Sequence, residues 1–116
     1  CEGLVGSEMC IRDSYYNITS RLDLNIENDW VKWMQETHIP EILNTKYFTE
    51  AKLLKISLDE NESQCTYAVQ LLCPSKSLLD NYIKNKAYSL KEKSFRLFGE
   101  KALSFSTKLE MISLHK

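Results

Sequence analysis

Glycine is nearly missing from this chain. Three occur in 116 residues, two of them within the first six, so there is no glycine-rich loop to cradle a phosphate or a dinucleotide. Histidine is equally scarce: His38, and His115 in the tail. With cysteines only at positions 1, 10, 65 and 73, the ligand spacing of a zinc site is absent, and neither a metal nor a cofactor is expected. No nucleophile elbow or Ser–His–Asp order is visible. No apolar run approaches the roughly 18 residues of a membrane span. Fifteen basic against sixteen acidic residues leave a formal charge of -1, too even to argue for nucleic acid or an anionic membrane. The cations are dispersed among acids, without the aromatic interleaving of an RNA-binding sheet.

Residues 1–14 lack the period of a helix or a strand, yet hold two of the four cysteines and two of the three glycines. They do not read as a signal peptide, having neither a basic start nor an apolar run of roughly 7–15 residues. They look like translated adapter sequence fused to a truncated reading frame, the competing reading being a short disordered tail. The native domain is expected to start near Tyr15 and to occupy 15–116. Without Glu2, Glu8, Arg12 and Asp13, the balance becomes 14 basic to 13 acidic residues. About a hundred residues make one domain with a modest core. On a single strand, Cys65 and Cys73 lie about 26 Å apart, too far to bond to each other. Two unpaired thiols point to a reducing cytoplasm.

Apolar patterning gives six elements. Tyr15 to Asp23 alternates as a strand, with Tyr16, Ile18, Ser20 and Leu22 on one side. A helix from about Ile26 gathers Trp30, Trp33 and Met34 into one apolar sector of roughly 100°. Asn25 is the expected cap, and Pro40 should stop or kink the helix, or open a further turn carrying Ile42 and Leu43. Phe48 to Leu58 and Gln64 to Cys73 read as a hairpin across the charged turn 59–63. Pro74 ends the second of these strands. Ser75 or Ser77 then caps a helix of some five or six turns, Leu79 through Phe98, which Gly99 stops. A last strand runs from Ala102 to Leu114, with Leu103, Phe105, Thr107 and Leu109 on one face.

Strand, helix, strand, strand, helix, strand is the α+β ferredoxin-like order: a four-stranded antiparallel sheet with both helices on one face. The other face is left bare although the middle strands are apolar on both sides. A second copy packed sheet to sheet would cover it, giving a homodimer of the dimeric α/β-barrel type.

The stretch Trp30-x-x-Trp33-Met34-x-x-x-His38-Ile39-Pro40, with Phe48-Thr49-Glu50-Ala51, Tyr67-x-x-Gln70, Tyr82 and Phe105-x-Thr107-x-Leu109-Glu110, resembles a small bacterial family. That family is known as domain of unknown function four-two-eight-six. The resemblance runs from about Tyr15 to Ile112 and implies fold and assembly rather than an activity. Members often carry a His-Ala-Pro-like stretch in the second helix, where this chain has Lys86-Ala87-Tyr88.

His38 is the one residue outside the tail able to move a proton near neutral pH. It is the candidate acid–base, against a helix-end histidine bonded to a carbonyl. Trp30, Trp33, Tyr67 and Gln70 are the candidate ligand-binding residues, against a tryptophan pair that is simply core. Gln70 under a partner sheet would need bonds or water. Glu50 and Glu110 could point into a barrel interior, against solvated or cross-strand-paired carboxylates. Two functions follow from these residues. One is a homodimeric barrel holding a small apolar ligand or serving as an assembly module. The other is a cofactor-free enzyme, monooxygenase- or isomerase-like.

Overall fold

The computed structural model describes residues 13–57 and 63–116. Four strands form one antiparallel sheet: β1 (Ser14–Asp23), β2 (Glu50–Ile56), β3 (Gln64–Cys73) and β4 (Ala102–Glu110), in the order β2-β3-β1-β4. This is the expected ferredoxin-like arrangement. β1 begins at Ser14, which is buried and pairs with Cys73 and Glu110. The Met111 amide donates to Asp13 O over 3.2 Å, so the sheet reaches slightly further toward the N-terminus than Tyr15. β2 is shorter than expected, its outer residue Leu58 and the turn residues 59–62 lying outside the described residues. β4 ends at Glu110 rather than Leu114.

Cross-strand register assigns the faces. Tyr16, Leu22, Val69 and Leu71 are buried under the helices. One row of the opposite face reads Leu54, Ala68, Thr19 and Phe105, and the next reads Lys52, Gln70, Asn17 and Thr107. On that open face Leu54, Ile56, Leu103, Phe105 and Leu109 are exposed.

The first helical segment is α1 (Glu27–Trp33), a π turn (Met34–His38) and α2 (Ile39–Asn44). Asn25 does not cap it: residues 24–26 form a 3₁₀ turn, and among the described residues no side chain caps the start of α1. Pro40 does not stop the helix either. His38 and Ile39 stay in the right-handed helical region, and the Ile39 amide donates to Met34 O, five residues back. A proline ring collides with the carbonyl four residues before it and offers no N–H. Widening the preceding turn relieves both problems without ending the helix.

The second helical segment breaks where one helix was expected. α3 (Lys76–Asn85) and α4 (Ala87–Phe98) meet at Lys86, whose φ of -126° and ψ of -29° leave the helical range. Ser75, not Ser77, caps α3, its hydroxyl accepting from the Leu78 amide at 3.2 Å. Gly99 stops α4 at φ +58°, a conformation that glycine adopts without the clash a β-carbon brings. Among the described residues no helix is long and apolar enough to cross a membrane. Cys65 and Cys73 are both free.

Candidate functional site

Four residues spaced by four, Trp30, Met34, His38 and Ile42, are all buried. At 100° per residue such a repeat drifts by about 40° a step, which would carry Ile42 roughly 120° away from Trp30. The π turn between them takes up that drift, because an i to i+5 turn holds an additional residue. The stripe therefore keeps facing one way, toward the sheet, and it carries His38 inward with it.

These residues wall a cavity of about 50 Å³ between helices and sheet, room for roughly three waters or a fragment of a few heavy atoms. Trp30, Met34 and Ile42 line one side, with Ile18 below and Leu90 of α4 opposite. The polar lining is His38, Lys91, Tyr16, Tyr82 and four serines: Ser20, Ser94, Ser104 and Ser106. Ser20 and Ser104 satisfy each other, Oγ to Oγ at 2.7 Å across β1 and β4. Among the described residues no aspartate or glutamate is in the lining.

His38 is 5% exposed, and its Nδ1 is buried without a hydrogen-bond partner among the described residues. Its ring lies against Trp33, which meets Phe98 edge-on at 5.6 Å. Burial pushes the imidazole down to about 4; Glu41 opposes this and Lys93 adds to it. Glu41 and Lys93 are themselves an ion pair linking α2 to α4. At neutral pH the ring is therefore uncharged. Position reinforces this, because the helix runs on to Asn44 and a helix C-terminus is not there to favour imidazolium.

The other sequence candidates divide. Trp30 lines the cavity, and its ring tilts against Tyr67 at 5.3 Å. Tyr67 is buried outside the cavity, and its hydroxyl donates to Glu27 Oε2 at 2.6 Å. The same carboxylate oxygen accepts from Lys55 Nζ at 2.9 Å. Those two bonds hold Glu27 below the usual carboxylate range, while burial, assisted by Glu27, raises the Tyr67 phenol. Trp33 reaches the site only through His38. Gln70 is not brought there: it pairs in register with Asn17 and Lys52 on the open face. Glu50 shares that open face, whereas Glu110 stands opposite Ser14 on the helix side, away from any interior between two sheets.

Sequence reasoning missed Lys91 and the serines as site residues. The available signal was a hydroxyl on an apolar face: Ser20 between Ile18 and Leu22 on β1, and Ser94 in the apolar sector with Leu90.

No curated protein matches this chain. The family described as domain of unknown function (DUF4286) matches over residues 14–112, from the first residue of β1 to just past β4. That span contains the whole sheet, both helical segments and every cavity residue, and the chain belongs to the DUF4286 family.

Proposed function

We propose that this protein holds a small ligand in the cavity between helices and sheet, and does so as a homodimer joined through its open sheet face. The observation that carries the reading is His38 Nδ1, a buried polar atom without a partner among the described residues, in the wall of that cavity. A buried polar group left unpaired costs about 1–3 kcal/mol, and a ligand able to bond it recovers that cost. The apolar residues exposed on the open face support the second half of the reading, since a face of that kind is commonly a contact surface. The free thiols of Cys65 and Cys73 fit a reducing cytoplasm.

A second reading has its own observation. His38 is a buried imidazole in the cavity wall, and a cofactor-free enzyme with His38 as acid–base requires its substrate to lift the ring from about 4 toward the working pH, where proton transfer is efficient.

A thermal-shift screen of small-molecule fragments on purified protein tests the first reading, because a true ligand raises the midpoint by mass action. Hits that shift wild type and not a folded His38→Gln variant support it. A screen in which every hit shifts both proteins equally, or shifts neither, removes the cavity from the function. Turnover of a hit that is lost in His38→Gln would favour the enzyme.

A further inference from the structure

The chemistry of the cavity wall points to a class of ligand. Every polar side chain in it can donate a hydrogen bond: the imidazole N–H, the four serine hydroxyls, the two phenols and the Lys91 ammonium. Apart from the hydroxyls, only the second ring nitrogen of His38 accepts. Among the described residues no carboxylate is in the lining, and the one fixed charge they place at the cavity is the cation of Lys91. Lys91 makes no ion pair among the described residues, whereas its neighbour Lys93 is paired with Glu41. It is exposed and stands at the solvent side of the wall. The rest of the wall is aliphatic and aromatic.

From this pattern we infer that the cavity takes a short-chain monocarboxylate. Its acid group would be met by His38, Lys91 and the hydroxyls of Ser94 and Ser106, and its alkyl end would lie against Trp30 and Leu90. This rests on the ligand-binding reading above and adds the ligand class. An ammonium at the wall, unpaired and with no carboxylate in the lining among the described residues, favours an anion over a neutral amide, and disfavours an ammonium by like-charge repulsion. The volume of about 50 Å³ limits the buried part to a few heavy atoms, so the chain is short.

Binding has a consequence for His38. Its surroundings are Glu41 from α2, Lys93 and Lys91 from α4, Tyr82 from α3, and Tyr16 from β1. An anion placed among them favours imidazolium, so a bound carboxylate should raise the pH at which His38 titrates.

The test compares three ligands of one shape and different charge on the full chain: propionate, propionamide and propylammonium. Calorimetry gives affinities, and the His38 ring resonances report occupancy. Propionate should bind at least about tenfold tighter than propionamide, move the ring resonances and raise the titration midpoint of His38. Lys91→Gln, a substitution on an exposed helical position, should erase that preference with the thermal midpoint unchanged. Propionamide or propylammonium binding as tightly as propionate would overturn the carboxylate while leaving a ligand site standing. Propionate binding with the His38 resonances unmoved, or with its preference intact in Lys91→Gln, would overturn it by placing the acid elsewhere. If none of the three binds, the inference falls; the wider fragment screen then decides separately whether the cavity holds any ligand.

Discussion

Trp33 and His38 stack with ring centroids 4.3 Å apart and planes 18° from parallel, although they stand five positions apart in one helical segment. In a regular α-helix positions five apart lie about 140° from each other and their side chains do not meet. The π turn over Met34–His38 makes the contact, and Pro40 supplies the reason for the π turn. A proline that would ordinarily end a helix instead sets the orientation of the one buried histidine. Trp33 is half-buried and covers the ring that Trp30 and Met34 leave open.

Trp33→Ala should therefore change His38 before it changes the fold. Removing the indole admits water to the imidazole and weakens the largest cause of its depression. The ring should titrate above its present value of about 4, toward the ordinary 6.5. Loss of a cation–π contact acts the other way, but it is worth about 1 kcal/mol or less at a half-exposed site. Proton NMR of the ring reads this directly, and a midpoint unchanged from wild type would show that Trp33 does not shield the site.

The same depression makes stability depend on pH. Unfolded, His38 titrates near 6.5; folded, it titrates near 4. Between those values the unfolded chain binds the proton and the folded one does not, so stability rises with pH across that window. The contribution is complete above about pH 6.5 and lost as pH falls through about 4, amounting to up to roughly 3 kcal/mol. His38→Gln removes the titration. Urea unfolding at steps between neutral pH and pH 4.5 should show a slope in wild type that the variant lacks. Parallel slopes would mean that His38 is not held neutral.

The two tryptophans should separate in cost. Trp30 is 2% exposed and touches both the cavity and Tyr67, so Trp30→Ala should lose on the order of 3–5 kcal/mol. Trp33→Ala should lose clearly less, since part of its ring already faces water. Chemical denaturation of both variants checks the order, and equal losses would contradict the burial difference.

The Tyr67 hydroxyl bonds an ionised carboxylate, and a hydrogen bond to a charged group typically contributes about 1.5–3 kcal/mol. Tyr67→Phe should cost about 1–2 kcal/mol, at the low end because Lys55 remains to serve Glu27 at 2.9 Å. The titration of Glu27 should move up in the variant, since its largest stabilising bond is lost. A variant as stable as wild type would show that the bond carries no net energy.

The strand order was legible because alternation at period two survives any tertiary context, and the sheet that it implied is the sheet that forms. The same parity already separated Tyr67 from Gln70: three positions apart on one strand, they must occupy opposite faces. The break at Lys86 was not legible. Leu79, Ile83, Ala87 and Leu90 keep helical period straight through it, and only the packing of α3 and α4 against different strands reveals the bend. Nor could alternation say which face of β4 the helices would choose. Leu103, Phe105 and Leu109 carry the larger side chains, yet it is Ser104, half-buried, and Ser106, still exposed, that lie on the helix side. The His38 site was half legible. Scarcity singled the residue out and Pro40 marked a distortion beside it, but the serines and Lys91 join it only through contacts between distant segments.

That inverted face of β4 gives the test of assembly. Phe105 is 60% exposed and Leu103 is 55% exposed. They flank a hollow over β1 and β3 bordered by Thr19, Arg21 and Thr66. A two-fold contact must be self-complementary, and a face bearing both a projecting ring and a hollow beside it can satisfy that requirement with a second copy. Phe105→Glu places a charge on the open face without touching the core, so the monomer's own packing is spared. Wild-type protein should sediment as a dimer at micromolar concentration and Phe105→Glu as a folded monomer, with its circular dichroism retained. A wild-type monomer under those conditions would rule out assembly through this face at ordinary affinity. A Phe105→Glu dimer of undiminished strength would move the interface to the helical side, where Tyr88, Phe95 and Leu97 are the exposed alternatives.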